Sequence, residues 1–191
     1  MKTFLLRRVE RFYEKSFRGE GMTYFHGFSL QSEEVLFKDY LSSSTHCVAG
    51  FSYGAQQALE YAYHSDQRID KLILLSPAFF QDQKPSFVRT QLRYFKADKD
   101  AYIKQFLDNV TYPSKETLDN HLNVGNVDEL EALLTYTWDA DKIKTLLKRG
   151  VVIEVFFATE DKIIDVPSAL DFFKPLCTTY TLKNMGHLLR V

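Results

Sequence analysis

A short serine motif flanked by glycines places the strongest constraint on how this chain of 191 residues can fold. Residues 50–54 read Gly-Phe-Ser-Tyr-Gly, between an apolar run at 46–51 and an alanine-rich stretch at 53–64. A strand that becomes a helix within one residue leaves the serine in a strained conformation with its hydroxyl exposed. The residues two before and two after Ser52 are forced close together, so only very small side chains fit at these positions. Gly50 and Gly54 meet that requirement. The sequence therefore predicts a sharp strand–helix turn centred on Ser52.

Strand and helix candidates alternate around this turn. Such alternation predicts a mostly parallel sheet with helices on both faces, in a single domain spanning 1–191. A helical block at 78–150 interrupts the alternation, and we interpret it as a cap inserted over the sheet edge where substrates bind. The predicted strands are 22–25, 46–51, 71–76, 151–158 and 178–182, and the predicted helices are 32–41, 53–64, 85–96, 98–109, 115–122, 127–137, 140–149 and 167–173.

The N-terminal residues have a separate character. Leu5, Val9, Phe12 and Tyr13 share one face at helical spacing, with arginines and lysines around them. This pattern predicts a short basic amphipathic helix at 3–17, which glycines at positions 19 and 21 end. We therefore treat 1–21 as an N-terminal extension, with the methionine at position 22 as an alternative start.

Composition narrows the class of protein. The net charge of −1 gives no whole-protein field that favours nucleic acid or a membrane. No apolar run approaches the ~20 residues that span a bilayer, and the apolar stretch at 4–6 is too short for a signal peptide. These features lead us to expect a cytoplasmic protein, with Cys47 and Cys177 as reduced thiols. No glycine-rich phosphate-binding loop supports a nucleotide-binding domain.

The turn at Ser52 matches the nucleophile elbow of serine hydrolases, and a serine nucleophile needs a base and an acid to orient that base. In the α/β-hydrolase fold the chain order is serine, acid, histidine. His187 follows the last predicted strand, and Asp161 follows the strand before it. Glu160 and Asp165 lie in the same loop and remain rivals of Asp161. No metal or organic cofactor is required, because such a triad supplies both nucleophile and base.

An oxyanion hole needs two backbone donors. The N–H of Tyr53, directly after the nucleophile, supplies one. The other is expected from Phe28, at the end of a Tyr-Phe-His-Gly-Phe turn after the first strand candidate. His26 in this turn is a rival base, which we interpret as stabilising the turn. The other histidines have no partners at useful spacing: His46, His64 and His121.

A basic face is predicted on the first helix of the cap. Arg89, Arg93 and Lys96 fall at i, i+4 and i+7, which places them on one side of a helix. The simplest interpretation is a solvated helix face. A sharper hypothesis is a docking site for an acidic partner or for a substrate phosphate or carboxylate.

Five stretches carry a resemblance to a known family: 24–28 (Tyr-Phe-His-Gly-Phe), 34–41, 49–55, 91–95 (Gln-Leu-Arg-Tyr-Phe) and 150–156. With these stretches the chain, from residue 22 onward, resembles the BioV-type pimeloyl-acyl carrier protein methyl ester esterases of biotin synthesis. The resemblance implies an α/β-hydrolase fold, with Ser52, Asp161 and His187 as the triad, and Phe28 and Tyr53 as oxyanion donors. It also implies a carboxylic ester hydrolase whose partner is an acidic acyl carrier protein bearing a methyl-pimeloyl group.

Two alternatives stay open at this point. Another small acyl esterase or a thioesterase would use the same residues. A non-catalytic binding protein with this fold would keep the elbow as scaffold, although such proteins usually lack one triad position, and here all three are filled. The sequence leaves the oligomeric state open.

Overall fold

The computed structural model describes the backbone of residues 16–18 and all of residues 21–191. Most of the predicted helix at 3–17 lies outside these residues. Where the two overlap the prediction is wrong, because Ser16–Arg18 is a strand, β1, that pairs antiparallel with β2 (Thr23–Phe25). Pairing with the edge of the sheet prevails here over the local helical pattern.

The described strands form one sheet in sequential order, β1 to β6. Every pair from β2 to β6 is parallel, as the alternation predicts. Because parallel strands end at the same edge, the loops that follow β2, β3, β5 and β6 meet there. The remaining strands are β3 (Cys47–Phe51), β4 (Lys71–Leu75), β5 (Val152–Ala158) and β6 (Thr178–Leu182).

The helices follow the predicted positions closely, with two exceptions. The helix predicted at 115–122 is wrong, because only a three-residue 3₁₀ turn, Asp119–His121, forms there, and the second exception is the helix predicted at 32–41. Ser32 does not cap a helix that runs to 41, because its φ is 55° and its side chain makes no capping hydrogen bond. Only a short 3₁₀ helix, Glu33–Phe37, forms there. The other helices are α1 (Tyr53–His64), α2 (Pro85–Ala97), α3 (Lys99–Thr111), a 3₁₀ turn (Asp119–His121), α4 (Val127–Thr135), α5 (Ala140–Lys148) and α6 (Val166–Phe173).

The sheet is buried on both faces at its centre. One face carries Val48, Leu72 and Val155, which belong to a core shared with α1, α5 and α6. The other face carries Ala49 and Ile73, which belong to a second core. That second core is completed by side chains from the 3₁₀ helix and from the C-terminal segment: Phe37, Leu188 and Leu189.

The block at 78–150 divides between two roles. Helix α5 packs on α1, with Ile143 fully buried, so it extends the layer on the sheet. Helices α2 and α3 pair with each other and form what we call the cap hairpin, in which the Tyr102 hydroxyl donates to the Gln91 side chain at 2.9 Å. Within the described part of the chain, no helix is long and apolar enough to cross a membrane.

The end of α3 touches the C-terminal loop at 184–190, which we call the histidine loop. The Leu188 N–H donates to the Val110 carbonyl at 3.1 Å. Gly186 lies directly against the Tyr112 carbonyl, where a Cβ would overlap the oxygen. Residue 186 must therefore be glycine for this contact to form.

Candidate active site

Ser52 sits at the turn between β3 and α1 in the strained conformation that the motif predicts. Its φ is 53° and ψ is −111°, a region that non-glycine residues rarely adopt. The Ser52 N–H donates to the Leu75 carbonyl at 2.9 Å, and its own carbonyl accepts from Ala78 at 3.2 Å. These bonds to the end of β4 and the segment after it hold the turn in place.

The two glycines of the motif allow this turn. A Cβ on Gly50 would overlap the Gly54 carbonyl, and a Cβ on Gly54 would overlap the carbonyls of Phe25 and His26. The second contact also brings the loop after β2 against the first turn of α1. The two predicted oxyanion donors, Phe28 and Tyr53, therefore lie on adjoining segments.

The three predicted triad side chains lie in a continuous line of contacts. His187 Nε2 is 2.9 Å from Ser52 Oγ, and His187 Nδ1 is 2.6 Å from Asp161 Oδ2. The side chains of His187 and Asp161 are fully buried. With the Nδ1 proton directed at Asp161, Nε2 is the ring nitrogen that can accept the serine proton. This arrangement can deprotonate Ser52 as it attacks a carbonyl.

The loop after β5 separates Asp161 from its rivals. Asp161 Oδ1 accepts from the N–H groups of Ile163 and Ile164, at 2.7 and 3.2 Å, which leaves Oδ2 directed at His187. Glu160 is exposed. Asp165 is exposed as well and accepts from the Ser168 hydroxyl at 2.8 Å.

The predicted oxyanion donors lie in buried positions. Phe28 is 1% exposed and Tyr53 is 7% exposed. Within the described part of the chain, the Phe28 N–H donates no hydrogen bond to another residue. His26 bonds to Glu33 at 2.9 Å and does not contact Ser52. The predicted role of His26 in the turn thus agrees with its observed partner.

Two buried groups near these residues carry no signal in the sequence. The Ser76 hydroxyl, after β4, donates to the His187 carbonyl at 2.6 Å. Glu33 is fully buried, and its carboxylate bonds to the loop that carries Phe28. The contact of Ser76 joins segments distant in sequence, whereas Glu33 bonds to a residue only six positions away, and neither contact follows a helical or strand periodicity. His26, Glu33 and Glu34 also form a group whose ligand atoms lie within 4.8 Å of one another.

A cavity of about 340 Å³ lies between the cap hairpin and the core. It adjoins both the acid loop, through Ile163, and the loop after β2, through Phe106, whose ring packs edge-on against Phe28 at 5.6 Å. Ser52 does not line this cavity and is 2% exposed, whereas the sequence motif predicts an exposed serine hydroxyl. The walls are mostly apolar, with amide side chains and one lysine: Phe80, Phe87, Leu130, Leu133, Leu134, Gln91, Gln105, Asn109 and Lys162.

The predicted basic face lies on the outer side of α2. Arg89, Arg93 and Lys96 are all exposed. The Arg93 guanidinium lies 5.4 Å from the centre of the Tyr94 ring, which is itself 54% exposed. The face therefore combines positive charge with an accessible aromatic ring.

By sequence alone the chain matches no protein-family model and no curated protein. Solved structures do resemble it. Carboxylesterase CesB from Bacillus subtilis superposes with a TM-score of 0.59 at 11% identity, over 96% of this chain and 93% of that one. Naproxen esterase from Bacillus subtilis gives 0.56 at 14% identity, over 96% and 92%. MenH from S. aureus gives 0.55 at 14% identity, over 86% and 85%. The chain has the α/β-hydrolase fold.

Proposed function

We propose that this protein is a serine ester hydrolase that demethylates a pimeloyl-acyl carrier protein methyl ester. The observation that carries the hydrolase part is the line of contacts from Ser52 through His187 to Asp161, at 2.9 and 2.6 Å. Esterase names among the structurally similar proteins agree with it. The choice of the carrier-linked methyl ester rests on the sequence resemblance, and the proposal retains the expected cytoplasmic location.

In the proposed reaction Ser52 Oγ attacks the carbonyl carbon of the methyl ester while His187 Nε2 takes the serine proton. Asp161 stabilises the imidazolium that forms, and the amides of Phe28 and Tyr53 bind the oxyanion. Collapse of the tetrahedral intermediate breaks the bond to methoxide, which leaves as methanol with the proton from His187. Water then attacks the acyl-serine, with His187 again as base, and releases the free carboxylate.

Two surfaces support an acyl chain attached to a carrier. The apolar cavity of about 340 Å³ beneath the cap hairpin is of the size that takes small ligands. The exposed Arg89, Arg93 and Lys96 offer charge complementarity to a strongly acidic carrier protein. In this proposal the carrier docks on α2 and the acyl chain extends beneath the hairpin toward Ser52.

The deciding experiment measures methanol release from methyl-pimeloyl carrier protein by the wild type and by Ser52→Ala, with a free pimelate methyl ester as the matched substrate. We expect wild-type turnover of the carrier-linked ester and its loss in Ser52→Ala. Comparable turnover of the two esters by the wild type would favour a general small esterase or thioesterase. Undiminished turnover by Ser52→Ala would overturn the mechanism.

A non-catalytic binding protein with this fold is the other candidate. It predicts that a fluorophosphonate does not label Ser52, whereas the proposed enzyme is labelled at that residue and not in Ser52→Ala.

A further inference from the structure

The loop after β2 is tied to a carboxylate that lies inside the protein. Glu33 is 0% exposed, although a charged side chain is rarely fully buried without partners. Its Oε1 accepts from the Gly27 N–H at 2.7 Å, and its Oε2 pairs with His26 Nδ1 at 2.9 Å. The cost of burying the charge is thus offset by bonds to consecutive residues of one loop.

Tyr24 supplies a further donor. Its hydroxyl reaches Glu33 Oε1 at 3.4 Å. Burial, and next the negative charge of Glu33, hold the pKa of Tyr24 well above its ordinary value, so the hydroxyl stays protonated and able to donate. The carboxylate therefore joins the end of β2 to the loop that follows it.

This bonding fixes the direction of one particular amide. The Gly27 carbonyl and the Phe28 N–H belong to the same planar peptide group and point in opposite directions. The carbonyl accepts from Leu30 at 3.1 Å, while the Gly27 N–H on the preceding peptide is bound to Glu33. With both peptide planes held, the Phe28 N–H has a single direction, away from the turn.

Side-chain packing keeps the loop from adopting another shape. A Cβ on Gly27 would press on the Phe51 ring, so the loop packs directly against β3 and leaves no room for a side chain at this position. On its other side the carbonyls of Phe25 and His26 lie against Gly54, at the first turn of the helix that follows Ser52. Small shifts of this loop therefore displace the Phe28 amide relative to Ser52.

We propose that Glu33 is a positioning residue, which orients the Phe28 amide so that it meets the oxyanion formed at Ser52. The inference rests on the proposed function, since it needs an oxyanion to be formed. Glu33 itself touches neither Ser52 nor His187. It acts through the Gly27 peptide, and its effect is confined to the transition state.

The test compares Glu33→Gln with Glu34→Gln, a matched change one residue along. Glu34 Oε2 lies 3.8 Å from His26, too far for a hydrogen bond, and makes no bond to Gly27. Removing an oxyanion donor outright costs about 10²–10³ in kcat, so a misaligned donor in Glu33→Gln should lower kcat roughly 10- to 100-fold. We expect KM to change less than about threefold and Glu34→Gln to match the wild type.

A second readout separates positioning from general loosening of the fold. A boronic acid that forms a tetrahedral adduct with Ser52 should bind Glu33→Gln more weakly by about the same factor as kcat falls, while affinity for the product carboxylate stays unchanged. If Glu33→Gln does not fold, Tyr24→Phe, which removes one donor to the same carboxylate, should lower kcat and boronate affinity together by a smaller factor.

The outcomes distinguish the two proposals. A wild type that cleaves no ester overturns the proposed function and this inference with it. An active wild type with kcat and boronate affinity unchanged in Glu33→Gln, or in Tyr24→Phe if that variant is needed, overturns the role of Glu33 alone. Loss of wild-type activity in a chelator, restored by Zn²⁺, would assign His26, Glu33 and Glu34 to a metal and also overturn it.

Discussion

The carboxyl edge of the sheet and the cap hairpin hold their side chains in opposite ways. At the edge, Ser52 is 2% exposed and His187 is 0% exposed, and both are fixed by bonds to neighbouring strands and loops. In α2 only Phe95 is buried, and Arg89 and Arg93 face outward. Under the proposed function, the buried edge carries out the ester chemistry and the exposed cap binds the carrier. Changes at the edge should alter turnover of every ester, whereas changes on the cap should alter only the use of a large, acidic substrate.

The largest effect on kcat is expected from a change to Asp161, at the carboxyl edge of the sheet. Asp161→Asn should lower kcat by about 10³- to 10⁴-fold on both free and carrier-linked esters, because the amide stabilises the wrong tautomer of His187. Asp165→Asn and Glu160→Gln serve as controls and should stay within about twofold. Steady-state kinetics of the three variants decide the assignment, which fails if either control loses as much activity as Asp161→Asn.

Charge reversal on the cap should have an intermediate and selective effect. Arg93→Glu with Lys96→Glu should raise KM for a carrier-linked ester roughly 10- to 100-fold and weaken its dependence on salt, since electrostatic attraction guides docking. Turnover of a free methyl ester should not change. Lys148→Glu with Lys174→Glu alters net charge equally, at exposed sites away from α2, and should affect neither substrate.

If both charge-reversed double variants raise KM for the carrier-linked ester equally, net charge alone matters. The exposed face of α2 then has no specific role in binding.

A smaller effect is expected at Ser76, whose hydroxyl donates to the backbone carbonyl of His187. Ser76→Ala removes the hydroxyl that bonds to the His187 carbonyl at 2.6 Å and leaves that buried oxygen unpaired. An unpaired buried acceptor costs about 1–3 kcal/mol, which should appear as a lower melting temperature. We expect kcat to fall by about tenfold on both substrates, as the histidine loop relaxes.

Ser168→Ala is the control for this change, because among the residues that the structure describes its hydroxyl bonds only to Asp165. A Ser76→Ala enzyme with wild-type kcat would show that the histidine needs no such support.

The smallest effect is expected for the two cysteines, which lie at the amino-terminal ends of strands, opposite the ends where Ser52 and His187 are found. Cys47 begins β3 and Cys177 precedes β6, and burial raises the pKa of each thiol to about 11. At pH 8 alkylation by iodoacetamide should be about 100-fold slower than for an ordinary thiol and should leave activity intact. Because folding raises these pKa values, the stability they contribute is present below the ordinary thiol pKa and is lost as pH approaches 11. Rapid loss of activity on alkylation at pH 8 would contradict this prediction, because it would show that the amino-terminal ends of the strands affect the site at their carboxyl ends.

Much of this architecture follows from local sequence. The glycines at 50 and 54 and the apolar runs beside them predict the turn at Ser52, because sterics leave few other solutions. The order of strands predicts that the loops of Asp161 and His187 meet it, since parallel strands share an edge. These inferences need only short-range rules and the topology of the sheet.

What local periodicity does not predict depends on tertiary contacts, some of them between residues that are close in sequence. The acids after Ser32 resemble the start of a regular helix, but Glu33 turns inward to the loop at 26–27 and only a 3₁₀ helix forms. The residues at 16–18 join the sheet edge despite a helical pattern. The cavity under the cap hairpin also has no local signal, because three helices and two loops contribute its walls.

The contact between α3 and the histidine loop joins the cap hairpin to the segment that holds His187. With Leu188 bonded to Val110 and Gly186 lying against Tyr112, the C-terminal end of α3 is fixed to that loop. The other helix of the hairpin, α2, packs against α4 and carries Arg93 and Lys96 at exposed positions. Any displacement of α3 would therefore be transmitted directly to the loop that holds His187.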